Sequence, residues 1–239
     1  TVAAFIAEPI VGASLGAVTA ATGYFTRIRE ICDTYEVLLI ADEVMCGTGR
    51  TGTFFAHQQE GFLPDIVTLA KGLGGGYLPL AATIARQKII EPFEQAGHGF
   101  SHGHTYVGHA SSCAVGVAVL ETIESEQLLG AVHRQGAHLE AALTQAFTHH
   151  PNIGDIRGRG LFRALEIVSD KNSKTVPKEA PLLAKRIREN AMKQGLMCYP
   201  SGSVDNCHIL LAPPFILADQ HIDQMVDRLK PALEEALNA

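Results

Sequence analysis

Two apolar runs that end in opposite charges constrain this chain more than any other feature. Val37-Leu38-Leu39-Ile40-Ala41 is unbroken and stops at Asp42-Glu43. Thr68-Leu69-Ala70 stops at Lys71, and Gly72-Leu73-Gly74-Gly75-Gly76 follows. Short continuous apolar runs are the pattern of strands buried on both faces, as in a parallel sheet covered by helices. Other segments agree. Residues 2–7, 65–70 and 80–85 read as further short strands, and residues 24–35 carry Phe25, Ile28, Ile31 and Tyr35 at a helical period. Strand, helix, strand in this order predicts an α/β fold. In open sheets of that kind ligands lie beyond the carboxyl ends of the strands, and Asp42 and Lys71 both fall there.

Downstream, residues 110–147 read as helical, with a break or kink near Gly130 and His133. The texture changes after Pro151. Gly158-Arg159-Gly160 leads a strand over 161–168, and a polar loop over 169–178 precedes a helix near 181–194. Short strands are expected near 196–199 and 208–212. A final helix over 219–237 has its apolar stripe at Ile222, Met225, Val226, Leu229 and Leu233. This predicts a mostly parallel α/β domain over 1–128, followed by a small α+β domain over 129–239.

A chain with 46% hydrophobic and 18% charged residues has the balance of an ordinary globular protein. Its net charge of −6 is spread over mixed signs with no basic stripe, which excludes a nucleic-acid surface. No run approaches the roughly 20 apolar residues of a membrane helix, and no signal peptide opens the sequence. The five cysteines form no CxxC pair or zinc spacing, and their odd number reads as reduced thiols in the cytoplasm. The sequence opens inside a strand, without a methionine, which reads as the later part of a longer enzyme.

An acid and an amine at the ends of two buried strands are what pyridoxal 5'-phosphate (PLP) chemistry requires. The lysine forms the Schiff base, and the acid pairs with the protonated ring nitrogen so that the ring draws off electrons. Burial at a strand end would lower the lysine pKa and leave it neutral often enough to attack. Taken alone, Lys71 reads as a surface lysine that ends a strand and Asp42 as a turn cap. Val44, two residues on, falls on the same side of an extended chain as Asp42. Glu43 points the other way and is assigned no catalytic role. His102 and His104 invite a metal reading, but no acidic or cysteine ligand sits beside them, so no metal is assigned. The Gly72–Gly76 run lacks the Gly-Lys-Ser/Thr ending of a phosphate loop. It reads as a tight turn after Lys71.

Several motifs follow one another along the chain: Ala7-Glu8-Pro9-Ile10, Asp42-Glu43-Val44, Gly49-Arg50-Thr51-Gly52, Pro64-Asp65-Ile66, the Lys71 glycine loop, His104-Thr105-Tyr106 with Gly108-His109, and Leu211-Ala212-Pro213-Pro214. With them the chain resembles the C-terminal part of a class III (omega) aminotransferase, a PLP enzyme of fold type I. The resemblance implies the latter part of the PLP-binding large domain, then the small C-terminal domain. It implies that Lys71 carries the cofactor and Asp42 meets the ring nitrogen. Val44 would pack on one face of the ring, and Thr105 would reach the cofactor phosphate across a homodimer interface. Substrates would be a small-molecule amine donor and a keto-acid acceptor. In glutamate-using branches the residue matching Glu8 pairs with an arginine just before the Ala-Pro-Pro motif. Leu210 and Leu211 stand there instead, which favours the omega-amino acid or amine:pyruvate branch, with pyruvate over 2-oxoglutarate. Arg50 is a candidate for a substrate carboxylate, whereas Arg157 and Arg159 in a Gly-rich turn read as structural. The family's phosphate loop and its stacking aromatic lie upstream of the matched region, so the resemblance implies a complementing N-terminal half. An aminomutase or racemase of the same fold, and a catalytically silent subunit, are the alternatives.

Overall fold

The computed structural model describes residues 1–97 and 99–238. In chain order come β1 (Ala4–Ala7), β2 (Ile10–Val11), β3 (Val18–Thr19), α1 (Tyr24–Thr34), β4 (Leu38–Asp42) and β5 (Ile66–Leu69). There follow β6 (Ala82–Ala85), α2 (Gln87–Gln95), α3 (Ala110–Ser125) and α4 (Leu128–Phe147). The chain ends with β7 (Ile153–Arg159), β8 (Phe162–Ile167), α5 (Ala180–Lys193), β9 (Tyr199–Gly202), β10 (Cys207–Leu211) and α6 (Asp219–Leu237). Two compact units result. The first holds residues 1–9, 20–49 and 53–128; the second holds 10–19, 50–52 and 129–239.

The first unit is built on a four-stranded sheet of order β1-β4-β5-β6. β1, β4 and β5 run parallel, with Ala7 beside Ala41 and Asp42 beside Thr68. β6 returns antiparallel to β5, a reversal that the sequence reading did not foresee. Burial also differs from the expectation of two covered faces. Leu39, Ala41, Val67 and Leu69 are buried, while their alternating neighbours Leu38, Ile40, Ile66 and Thr68 are half-buried. The covered face meets α1, which turns Phe25 and Cys32 inward. The Phe25 ring stacks on Phe62 at 4.8 Å between centroids. Each such side chain contributes about 1.5–3 kcal/mol through removal from water.

Asp65, just before β5, ties this unit together and is 1% exposed. Its Oδ2 accepts hydrogen bonds from the Leu39 backbone N–H (2.9 Å) and Arg29 Nη1 (2.8 Å), while Lys88 Nζ lies 2.5 Å from Oδ1. Burial alone would raise the Asp65 pKa. The Leu39 amide, Lys88 and Arg29 outweigh that effect and hold it at about 2.

The helical stretch over 110–147 breaks at Glu126–Gln127 and not near Gly130. Gln127 takes a left-handed φ of 52°, which ends one helix and starts the next. Gly130 and His133 continue α4, since a single glycine costs a helix only about 1 kcal/mol.

The second unit centres on an antiparallel sheet of order β7-β8-β10-β9. β10 is buried along its whole length. Leu139, Leu143 and Phe147 of α4, Leu183 and Ile187 of α5, and Ile222, Val226, Leu229 and Leu233 of α6 recur every three or four residues. That spacing puts each set on one helix face, and all pack into one core with Leu165, Ile167 and Ile209. β7 was not legible in the sequence, because Ile153–Arg159 mixes Gly, Asp and Arg with no alternation. Its hairpin to β8 depends on Gly158, whose φ is 118° and where a Cβ would fall 2.0 Å from the Phe162 carbonyl oxygen.

Residues 10–19 and 50–52 depart from the expected boundary at 128, because their packing joins them to the second unit. β2 and β3 form a hairpin. Arg157 Nε and Nη2 donate to the Gly16 (2.7 Å) and Leu15 (2.5 Å) carbonyls, and Arg157 also pairs with Glu166. The backbone carbonyl of Arg50 accepts from the Leu161 N–H.

Candidate active site

Three neighbouring parallel strands end side by side, and each end carries a candidate residue. Glu8 follows β1, Asp42 closes β4, and Lys71 stands two residues beyond β5. The register places Asp42 level with Thr68, three residues before Lys71. Asp42 and Lys71 are 29 positions apart in the sequence yet sit at adjacent strand ends, because parallel pairing aligns like ends.

Asp42 is half-buried. Its Oδ1 accepts from the Val44 backbone N–H at 3.1 Å and from the Thr68 hydroxyl at 3.3 Å. Among the described residues nothing donates to Oδ2. One carboxylate oxygen is therefore fixed by the strand end, and the other remains able to accept a proton donor from a ligand. Val44 does not continue the extended strand. The chain turns after Asp42, and Val44 is half-buried in that turn with its N–H tied back to Asp42. Thr68 was not singled out in the sequence; only the register of β4 against β5 reveals it.

Lys71 opens a 3-10 turn, Lys71–Gly74, with a left-handed φ of 45°. Leu73, 7% exposed, anchors the turn, and its N–H donates to the Ala70 carbonyl at 3.0 Å. The lysine itself is exposed. The burial expected at an apolar strand end is not provided by the residues around it here. Lys71 lines an open cleft of about 1050 Å³, together with Tyr77, Leu80, His104, Tyr106 and His109. The turn that carries Thr105 thus reaches the lysine. Asp42 is not among the residues lining that cleft. Thr105 is exposed within a turn closed by the Val107 N–H on the His104 carbonyl. His109 caps α3, its Nδ1 accepting from the Ser112 N–H at 3.4 Å.

The remaining candidates are less alike. Glu8 is half-buried and already engaged with other residues. Arg50, in the second unit, donates from Nη1 to the Pro213 carbonyl at 2.5 Å, and its guanidinium lies 4.6 Å from the centroid of the Phe215 ring. Burial pushes its pKa down to about 10, and among the described residues no carboxylate offsets that cost. Arg157 spans backbone carbonyls and Glu166, which is a structural use. The positions matching the expected arginine, Leu210 and Leu211, are each 3% exposed and paired with β8.

These residues fit PLP in outline. A lysine opens into a cleft, a carboxylate with one free oxygen stands at the adjoining strand end, and a hydroxyl-bearing turn borders the same cleft. Glu43, to which the sequence assigned no catalytic role, has a different use. It is completely buried, and its carboxylate accepts from the Ala56 N–H (2.6 Å), the His57 N–H (2.8 Å) and His57 Nδ1 (2.7 Å). An acid directly after a strand-end acid gave no local sign of a partner 13 and 14 residues away.

An "Aminotransferase" of Gibberella zeae is 40% identical over 99% of this chain and 47% of its own length. The adenosylmethionine-8-amino-7-oxononanoate aminotransferase of Staphylococcus aureus is 38% identical over 99% of this chain and 52% of its own. The crystal structure of an (S)-enantioselective omega-transaminase from Thermomicrobium roseum superposes with a TM-score of 0.90 at 36% identity, covering 98% of this chain and 51% of that one. The chain therefore spans about half the length of the relatives it matches. The family model "Aminotransferase class-III" matches residues 1–233, and the chain belongs to that family.

Proposed function

We propose that the protein containing this chain is a PLP-dependent aminotransferase that moves an amino group from an amine or omega-amino acid to a keto acid. The observation that carries this reading is the adjacency of Asp42 and Lys71 at the ends of paired parallel strands. Bound PLP supplies an electron sink for the negative charge left when a proton leaves the donor carbon. Lys71 Nζ would hold the cofactor covalently and, once released, would carry that proton. Asp42 Oδ2 would accept a hydrogen bond from the protonated ring nitrogen, and its negative charge would favour the ring staying protonated. Val44 supplies an apolar contact to the ring, and the Thr105 hydroxyl donates to the phosphate of a partner subunit's cofactor.

The exposure of Lys71 supports a site completed by protein beyond these residues. The exposed Tyr77, Tyr106 and Val107 beside the cleft support a dimer. Pyruvate is the proposed acceptor over 2-oxoglutarate, because buried Leu210 cannot form the two-pronged clamp that a second carboxylate requires. Arg50, with no anionic partner among the described residues and still protonated near neutral pH, is the proposed contact for a substrate carboxylate, with Glu8 bordering the donor. The relatives' names differ over substrates: one names 2-oxoglutarate beside diaminobutyrate, in Halomonas elongata. All five cysteines are unpaired and, among the described residues, no helix is long and apolar enough to cross a membrane. The free thiols support a cytoplasmic setting.

The test is borohydride reduction of the protein with PLP, followed by peptide mapping. A phosphopyridoxyl adduct on Lys71 that is lost in Lys71→Ala is expected. Wild type without an adduct, or an adduct that survives the substitution, refutes the reading. Amino transfer from an amine to pyruvate, without inversion or internal migration, separates it from a racemase or aminomutase.

A further inference from the structure

We infer that the buried pair Glu43–His57 is a positioning device that fixes the direction of Asp42 and Val44 toward the cofactor ring; this rests on the reading of Asp42 given above. Glu43 directly follows Asp42, and the two carboxylates face apart. Asp42 bonds to Thr68 and to the Val44 amide, whereas Glu43 bonds to the turn at Ala56 and His57. The Glu43 backbone is held as well. Its N–H donates to the Thr68 carbonyl at 3.0 Å, and its carbonyl accepts from the Gly47 N–H at 3.0 Å. Gly47 is needed for that closure, because a Cβ there would lie 2.7 Å from the Glu43 carbonyl oxygen and 2.9 Å from Oε2.

The third donor to Glu43, His57, is 6% exposed. Its ring stacks on Phe55 at 5.1 Å and touches Phe62 at 5.6 Å, so the imidazole has little freedom. The Glu43 carboxylate therefore has three donors fixed in place, and charge-assisted bonds of this kind are the strong ones. Consecutive residues share a peptide plane. A rotation at Glu43 would swing that plane, and with it the Asp42 side chain and the Val44 amide that binds it. Stability alone is a weak reason for burying such a pair, since apolar residues of similar volume often do as well. Orientation of the neighbouring acid gives the charge a use.

The experiment compares the purified full-length protein with Glu43→Gln, His57→Phe and His57→Asn. It reads the PLP dissociation constant, the visible circular dichroism of the bound cofactor, and the melting temperature without cofactor. Glu43→Gln places an amide N–H against the donors of the 56–57 turn, and a rise of at least tenfold in the dissociation constant with an altered dichroic band is expected. His57→Phe removes only the side-chain donor and should raise the constant about threefold or more. His57→Asn returns a donor near the Nδ1 position and should restore both readouts to within twofold of wild type. If Glu43→Gln does not fold, the two His57 variants decide. Wild-type affinity and dichroism in His57→Phe, or equal losses in the Phe and Asn variants with an unchanged band, overturn the inference. Those outcomes with a normal Lys71 adduct in wild type overturn it alone. A wild type that forms no Lys71 adduct overturns it together with the proposed function.

Discussion

Replacing Asp65 by Asn tests how the parallel sheet is held in register. The carboxylate is 1% exposed, and its pKa is held at about 2 against an ordinary value of 3.8. By linkage, a depression of that size stabilises the fold by about 2 kcal/mol at neutral pH. The contribution is complete above the unfolded pKa and disappears as the pH falls toward about 2. Asn keeps an oxygen for the Leu39 amide but loses the charge. Its former partners are not stranded: Arg29 retains Asp33 at 2.7 Å, and Lys88 is half exposed to water. The loss should therefore stay near about 2 kcal/mol and below the 3–5 kcal/mol typical of a fully trapped pair. With a urea dependence of about 3 kcal/mol per molar, the unfolding midpoint at pH 7 should fall by about 0.7 M. Asp65→Ala adds the unpaired Leu39 N–H and should cost a further 1–3 kcal/mol or so. Far-UV circular dichroism in urea at pH 7 and pH 3 reads both effects. Equal midpoints for wild type and Asp65→Asn at pH 7, or a difference as large at pH 3 as at pH 7, would refute the reasoning.

Other consequences can be read by simpler means. His208 is fully buried with no hydrogen-bond partner for either ring nitrogen among the described residues, and burial first, then the Arg157 charge, lower its pKa. Its folded form resists a proton that the unfolded chain accepts, so its contribution is intact above about pH 6.5 and declines as the pH falls below that. His208→Asn should flatten the loss of melting temperature between pH 7 and pH 5, and parallel profiles would contradict the assignment. Gly136 of α4 faces Gly160, where an added Cβ would sit 2.6 Å from the Gly160 Cα. Gly136→Ala should cost about 1–3 kcal/mol through overpacking, and an unchanged melting temperature would count against that contact. Cys207 is buried and its thiol is pushed up to about 12, whereas Cys113 is exposed. A maleimide reagent at pH 7.5 should label Cys113 within minutes and spare Cys207; labelling of Cys207 in the folded protein would refute its burial.

The parts of this molecule that were legible in its sequence are those coded over short distances. The runs ending at Ala41 and Ala70 announced strands. The helices of the second unit announced themselves through stripes such as Ile222, Val226, Leu229 and Leu233. Strand ends are local features too, so Asp42 and Lys71 could be picked out as a pair before any pairing was known. Features set by distant partners were not readable. β6 contains ordinary strand residues, and nothing in them indicates that it runs against β5. β7 carries no alternation, because Arg157 points its guanidinium to carbonyls more than 140 positions upstream. The break between α3 and α4 falls not at the nearby glycine but at Gln127, whose side chain offers no cue for a left-handed backbone.

The same distinction separates the two kinds of acid in the first unit. Among the described residues Asp42 keeps one oxygen without a donor, while Glu43 and Asp65 are both buried and bonded to backbone amides. A carboxylate loses a large hydration energy on burial and persists only where fixed donors replace the water. Glu43 and Asp65 recover that loss from backbone amides 13 to 26 positions away, so each also records where the chain must return. Asp42 recovers less, from donors on one side only. Asp42, bonded through one oxygen beside a neighbour bonded through both, has binding capacity to spare, and the ligand role proposed for it rests on that difference. The sequence motif Asp-Glu cannot supply the distinction, since both residues look alike until the turn at Ala56 and His57 closes on the second. If that turn is loosened and Asp42 still holds its orientation, the strand end itself is rigid enough. If Asp42 then loses its grip on the cofactor, the neighbouring acid has been aiming it.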